Sequence, residues 1–326
     1  MHFDIPPARV LVLVPSYNHE RFLQARLDSV LGQTHKDFKL LVIDDASPDK
    51  SSSILERVND PRARICIREK NTGTPFSAWR DVHEQADCEY LWIAESDDVA
   101  EPEFLARGLR ALEENPAAAF YYTHSWIVDE NTEICGHTIN YLRRHFSVID
   151  WERPQKLSGE HFNDAVQIYG NALPNMSSAL MRMSAFRKAF DRSFDRFSLA
   201  ADWVFAGRLA AQGEVLFSPR TDNNFRQHQT TSRVRTKLER TCAEYTRAIS
   251  MIGDLPGVAQ ENLIASLERT AHMFLHERGS VLELARASLR FGPGHCLTLA
   301  GRVLSSLTER PDLRHRLREY LSVRRI

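Results

Sequence analysis

The sequence predicts an α/β fold: a mainly parallel sheet flanked by helices, followed by an α-helical C-terminal extension. Three observations carry that prediction. Short apolar runs alternate with amphipathic stretches over the first 120 residues, the pattern of βα units that feed a parallel sheet. Three of the four leading runs are nearly continuous in apolar residues, as expected for strands covered on both faces. Past Arg233 the period becomes almost wholly helical.

The elements follow in order. Strands are expected over 9–14, 38–43, 64–67 and 89–94, each rich in Val, Ile, Leu or aromatic residues. Leu23, Leu27, Val30 and Leu31 recur at helical spacing, and Thr74-Pro75 and Glu101-Pro102 place proline where a first helical turn accepts it. A further strand spans 117–122, with Ser125 to Val128 and a turn-rich Asp129 to Thr132 after it. Residues 130–175 sustain no period beyond a helix over 158–168. Helices are then expected over 238–252, 258–275, 281–289, 296–306 and 312–322. The predicted division is 1–235 for the α/β domain and 236–326 for the helical extension.

Composition narrows the function. At 326 residues, with 43% hydrophobic and 26% charged, the chain has the make-up of a soluble globular protein. Lys+Arg 42 against Asp+Glu 43 leaves no basic footprint for nucleic acid. The five cysteines are scattered and never form a C-x-x-C pair, which argues against a disulfide framework or a zinc ribbon. Met1 to Pro7 lacks the basic and apolar regions of a signal peptide, and no later stretch reaches the length of a membrane span. A cytoplasmic location is expected.

In a parallel α/β sheet the ligand crevice lies at the carboxyl ends of the strands. Here those ends are polar. The first strand ends in Pro15-Ser16-Tyr17-Asn18, the second in Asp44-Asp45-Ala46-Ser47-Pro48-Asp49, and the fourth in Glu95-Ser96-Asp97-Asp98. The carboxylates of Asp44, Asp45, Glu95, Asp97 and Asp98 therefore converge on one edge. Like charges so close call for a cation, and oxygen ligands select Mg²⁺ or Mn²⁺. The alternative is local: Asp44 or Asp45 makes an Asx-turn, and Asp97 or Asp98 caps a helix starting near Pro102.

These three segments together resemble family 2 of the inverting glycosyltransferases, which have the GT-A fold, a Rossmann-like nucleotide-binding architecture; the resemblance covers about residues 8–235. It implies that Pro15, Tyr17 and Asp45 hold the nucleoside of a nucleotide-sugar donor, with Asp45 accepting from a uracil or thymine imide. Asn18 and Asp44, at the same strand ends, would also contact the donor. Asp98 would ligate the metal, Asp97 would reach the ribose or the metal, and Glu95 stands where the first Asp of the family's D-x-D motif would be. Gly73, in Asn71-Thr72-Gly73, matches the position where the backbone approaches the donor, although a simple turn is the other reading. Asp202, in Ala201-Asp202-Trp203, falls at the family's E-D or D-W motif, and Asn224 to Ser232 resembles an R-x-H segment that folds over the diphosphate. There His228 would ligate the metal or contact phosphate, and Arg226 would add charge.

A displacement at the anomeric carbon needs a base for the acceptor proton, and Asp202 is the candidate. Asp191 and Asp195 lie among arginines and lysine, and Asp222 sits in a polar loop. The competing role for Asp202 is an N-cap of the helix 203–211. The predicted activity moves a sugar from a UDP- or dTDP-sugar to the hydroxyl of a saccharide or lipid-linked acceptor, with Mn²⁺ or Mg²⁺, in surface polysaccharide or glycoconjugate synthesis. A sugar nucleotidyltransferase would instead carry a glycine-rich basic loop after the first strand. A non-catalytic nucleotide-sugar-binding protein would need Asp98 and Asp202 to be vestigial. Leu313, Leu317, Tyr320 and Leu321, with Arg314, Arg318, Arg324 and Arg325 nearby, offer a basic helix that either docks at the inner face of a membrane or packs on the catalytic domain.

Overall fold

The computed structural model describes residues 5, 7–227 and 238–276. His228 and the expected elements beyond 276, including the basic helix, lie outside the described residues.

The described chain forms a ten-stranded sheet in the order β3-β2-β1-β4-β9-β6-β10-β5, with β7 pairing β6 and β8 pairing β10. Its parallel half is β1 (Ala8–Ser16), β2 (Lys39–Asp44), β3 (Ala63–Ile67) and β4 (Cys88–Ile93). The long strands β6 (Ala118–Val128) and β10 (Glu214–Arg226) pair parallel to one another. The short strand β9 (Ala179–Arg182) runs antiparallel between β4 and β6 and joins the two halves. The other short strands, β5 (Val99–Ala100), β7 (Ile134–His137) and β8 (Gln155–Leu157), pair antiparallel at the periphery.

Strand alternation sends side chains to two cores. Val10, Val12, Val14, Leu40, Val42 and Trp92 face one side, where α1 (Glu20–Leu31) and α4 (Phe104–Glu114) cover them with Leu23, Leu27, Val30, Phe104 and Leu105. Leu11, Leu13, Leu41, Ile43, Leu91 and Ile93 face the other, where α3 (Phe76–Gln85), α6 (Gly159–Ala165), α7 (Met183–Ala189) and α8 (Ala201–Ala210) pack. Burial on both faces explains why the strand runs are nearly continuous in apolar residues. The remaining short helices are α2 (Ser51–Leu55) and α5 (Thr138–His145).

Two further helices, α9 (Leu238–Gly253) and α10 (Gln260–His276), follow β10. Ala248, Ile249, Ile252, Leu263 and Leu267 are buried in the same cluster as α7 and α8, so these helices share the core of the sheet domain.

The expected helix over 158–168 is shorter. Ser158 caps its start by accepting from the His161 amide, but Val166 leaves helical geometry at φ −131°, and Gln167 to Tyr169 form a separate 3₁₀ turn.

Candidate active site

The strand order places β1 between β2 and β4, and the loops leaving β1 and β4 border the crevice where such sheets bind ligands. Both loops are tied down. The Ala94 amide donates to the Leu13 carbonyl at 2.8 Å, the Glu95 amide to Ser177 Oγ at 2.9 Å, and His19 Nδ1 lies 2.8 Å from Ser96 Oγ.

The acidic loop gathers its carboxylates around a buried arginine. Arg26 on α1 is fully buried; its Nε donates to the Glu95 carbonyl at 2.8 Å, and its Nη2 lies 3.8 Å from Asp98 Oδ2. The Glu95 carboxyl is pushed well above the usual carboxylate range, first by burial and then by the charges of Asp98, Asp97 and Asp202, against which Arg26 pulls. Asp202 therefore lies within electrostatic reach of the strand-end acids although it comes from α8. Burial likewise raises Asp98, with Asp97 adding and Arg26 opposing.

The geometry divides the sequence-predicted acids into two groups. Asp98 is turned inward at 1% exposure; its Oδ1 accepts from the Arg226 amide at 2.8 Å and its Oδ2 from Asn175 Nδ2 at 2.6 Å. Both oxygens help to hold β10 and the entry to β9, so a cation at Asp98 would share them with these two donors. Glu95 and Asp97 are partly exposed beside it. Neither Asp97 nor Asp98 caps α4, which starts at Phe104 without a side-chain cap.

Arg226 also has a different place from the expected donor contact. Its Nε donates to the Asp97 carbonyl at 2.8 Å, its Nη1 to the Asp129 carbonyl at 2.6 Å, and its guanidinium lies 4.6 Å over the Phe22 ring. It is 3% exposed and clamps the acidic loop from below.

At the end of β2, Asp44 is completely buried and both its oxygens accept from Ser47, from the amide at 2.8 Å and from Oγ at 2.6 Å. That is the Asx-turn alternative, and it removes Asp44 from donor contact. Ser47 Oγ accepts in turn from the Asn18 amide at 2.8 Å, which fixes the β1 and β2 loops together with Asn18 at φ 58°. Tyr17, 46% exposed, stands on the open rim, and Pro15 lies half-buried at the strand end.

Asp45 points the other way. Its Oδ2 accepts from the Thr72 amide at 2.9 Å and from Thr72 Oγ1 at 2.8 Å, while Arg68 Nη1 lies 3.4 Å from Oδ1. Next to it a cavity of about 430 Å³ is lined by Arg68, Thr72, Gly73, Ser77, Arg80 and Asp195, among others. Gly73 has φ 77° and nothing within 4 Å of where a Cβ would be, so its backbone is bare toward that opening, as close approach by a ligand requires. Asp195 is ion-paired with Arg80 and Asp191 with Arg208, in keeping with their arginine-rich surroundings.

Asp202 occupies the first turn of α8, with Ala200 at the N-cap position, so it is not the N-cap residue. Its Oδ2 accepts from Asn171 Nδ2 at 3.2 Å and its Oδ1 from the Trp203 amide at 2.9 Å. Gln167 locks the neighbouring Trp203 through a reciprocal pair of hydrogen bonds, 2.9 and 2.6 Å. Arg26, Asn171, Asn175, Arg68 and Thr72 are the site residues that sequence reasoning missed. Arg26 had a signal, a charge at the i+3 position of the apolar stripe Leu23, Leu27, Val30.

For a cation, the donor set is suggestive in charge and incomplete in ligands. Glu95, Asp97, Asp98 and Asp202 interact with one another and with the guanidiniums of Arg26 and Arg226, which leaves two negative charges when all four acids are ionised. Among the described residues no group of three His, Cys, Asp or Glu could hold a metal ion unaided. Nor does any described helix have the length and apolarity to cross a membrane.

Comparison with known proteins agrees with this architecture. The profile described as Glycosyl transferase family 2 matches residues 11–190, more than half of the chain. Among curated proteins, the chain is 27% identical over 127 residues, 38% of its length, to TuaG of Bacillus subtilis, named as a teichuronic acid biosynthesis glycosyltransferase, of which it covers 50%. It is 30% identical over 111 residues, 33% of its length, to a poly(ribitol-phosphate) beta-glucosyltransferase of Bacillus spizizenii, of which it covers 18%. The chain thus spans half or less of these relatives. In fold it resembles S. aureus TarS 1-349 in complex with UDP-GlcNAc, with a TM-score of 0.65 at 16% identity over 89% of this chain and 83% of that one. The mannosyltransferase PcManGT of Pyrobaculum calidifontis, in complex with GDP-Man and Mn²⁺, gives 0.54 at 16% identity over 96% and 85%. The fold is GT-A, and the chain belongs to glycosyl transferase family 2.

Proposed function

We propose that this chain is an inverting glycosyltransferase that moves a sugar from a UDP- or dTDP-sugar to an acceptor hydroxyl by a single, metal-assisted displacement, in the synthesis of a surface polysaccharide or glycoconjugate. One observation carries the reading: the strand-end acids Glu95, Asp97 and Asp98 and the acid Asp202 share one electrostatic cluster although they come from different elements, the end of β4 and the first turn of α8. An in-line displacement needs those two sides, with leaving-group charge neutralised on one and the acceptor proton taken on the other.

In this scheme Asp45, fixed by Thr72 and Arg68, accepts from the nucleobase, and the bare backbone at Gly73 lets the donor come close. Glu95 and Asp97 would supply carboxylate ligands for Mn²⁺ or Mg²⁺, which suits a cation held by one or two carboxylates plus substrate. A cation held there would supply positive charge to the leaving diphosphate. Asp98, Arg26 and Arg226 hold the acidic loop in shape, and Asp202 takes the proton of the acceptor hydroxyl. The teichuronic acid and ribitol-phosphate names of the relatives support a surface-polymer acceptor, saccharide or lipid-linked, and the UDP-GlcNAc complex of TarS supports a uridine donor. A cytoplasmic enzyme working at the inner face of a membrane suits such an acceptor.

The test is a hydrolysis screen over UDP-, dTDP- and GDP-sugars with and without Mn²⁺. Turnover of one uridine or thymidine donor that EDTA abolishes is expected. Turnover of a GDP-sugar alone would overturn the donor assignment, and full activity in EDTA would overturn the metal.

A further inference from the structure

Glu244, in α9, is only 3% exposed, and its carboxylate reaches out of that helix to the loop that leads into α8. Its Oε1 accepts from the Ser198 hydroxyl at 2.5 Å and from the Ser198 amide at 3.1 Å. Its Oε2 accepts from the amides of Leu199 at 2.7 Å and Ala200 at 3.2 Å. Three successive backbone N–H groups immediately ahead of a helix are thus satisfied by one side chain from an element 44 to 46 residues further along the chain. An anion is the natural partner there, because these amides and the positive end of the helix both favour it. Arg240 Nε, one turn earlier on α9, also reaches the carboxylate, at 3.2 Å.

The tether ends two residues before Asp202. The next residue on α9, Tyr245, packs edge-on against Trp203 at 5.5 Å between ring centroids, while Ala248, Ile249 and Ile252 bury the rest of that face in the core. Asp202 is therefore fixed from three directions: Asn171 on its side chain, Gln167 and Tyr245 on the residue after it, and Glu244 on the backbone before it. Losing the last would leave the amides of Ser198, Leu199 and the buried Ala200 without that acceptor and free the loop to shift. A misplacement of about 1 Å at a reacting group costs on the order of a hundredfold in rate.

We propose that Glu244 is a positioning residue for Asp202, so that the helices after β10 complete the active site by fixing the loop that presents the base. The inference rests on the reading of Asp202 as the base.

A double-mutant cycle in the full chain tests it, with hydrolysis of a UDP-hexose panel and transfer as activities and calorimetry with UDP and Mn²⁺ as the binding control. Glu244→Gln keeps the shape but brings an amide against backbone donors. It should lower kcat tenfold to a hundredfold, leave UDP affinity within twofold, and speed amide exchange at 198–200 at least tenfold. In the Asp202→Asn background the same change should alter the residual rate less than twofold, since coupled residues are not additive. Wild-type kcat in Glu244→Gln, or an equal loss in both backgrounds, overturns the tether. Wild-type rate in Asp202→Asn alone instead overturns the base assignment. Should Glu244→Gln not fold, Ser198→Ala removes a single hydrogen bond and should lower kcat twofold to fivefold without affecting UDP binding; an unchanged kcat there also overturns the proposal.

Discussion

Replacing Asp98 by asparagine removes an acceptor oxygen from a carboxylate that accepts two hydrogen bonds and faces a buried cation. Asn175 Nδ2 and the Arg226 amide are both donors, so whichever way the new amide turns, its NH₂ meets one of them. Arg26, fully buried and 3.8 Å away, loses the largest of its counter-charges in the same step and keeps those of Asp97 and Glu95. Because Arg26 keeps two acids nearby, the cost should follow the lost hydrogen bond to a charged group, about 1.5 to 3 kcal/mol, rather than that of a wholly uncompensated buried charge. At about 2 to 4 °C per kcal/mol for a domain of this size, the melting temperature should fall by roughly 6 °C. Asp97→Asn is the matched control. It relieves the like-charge load on Glu95 and Asp98, so its melting temperature should stay within a few degrees while donor turnover collapses with its metal ligand. Calorimetric melting of the two variants alongside Mn²⁺-dependent hydrolysis separates the roles. A stable but inactive Asp98→Asn beside a fully active Asp97→Asn would return the metal to Asp98 and refute the division drawn from the hydrogen bonds.

Three further outcomes follow. Asp202→Asn should lower transfer by roughly a hundredfold or more with UDP affinity and melting temperature nearly unchanged; near-wild-type transfer by a folded variant would move the base elsewhere. Asp45→Ala should weaken UDP binding by about 1 to 3 kcal/mol, the usual cost of an unsatisfied buried partner, and calorimetry showing equal affinity would confine Asp45 to fixing the Thr72 loop. His124 is driven down to about 4, mainly by burial against the hydrogen bond to the Trp151 carbonyl. Its depressed value means that the unfolded chain binds the proton first, so stability is full above about pH 6.5 and is lost as pH falls toward 4. Between pH 7 and 5 the loss should be about 2 kcal/mol. Urea unfolding of His124→Gln should show a correspondingly flatter pH dependence, and an unchanged slope would assign the acid sensitivity to other groups.

What the sequence reveals of this molecule depends on whether a residue's role is carried by its own neighbourhood. Strands β1, β2 and β4 are legible because burial on both faces makes their apolar runs continuous, and the acids at their ends are legible because a parallel sheet has one ligand-binding edge. Strands β7 and β8 are not, since four and three residues at the periphery leave no period to count. The same limit divides the acids. Asp97 and Asp98 are adjacent and chemically identical, and only the folded chain sets one at the cleft and the other under Arg226 and Asn175, residues 128 and 77 positions away. Arg26 breaks an apolar stripe, a local signal that something buried awaits it, yet its partner is named only by the packing of α1 beneath the β4 loop. Glu244 gives no local signal at all: in its own helix it reads as a solvated acid beside Arg240, and its meaning lies in three backbone amides that become donors without partners only because α8 begins where it does. Residues that contact a ligand tend to sit at strand and helix ends, where sequence patterns locate them. Residues that hold those in place answer to whatever the fold brings near, and a burial pattern that breaks its own period is the one trace they leave.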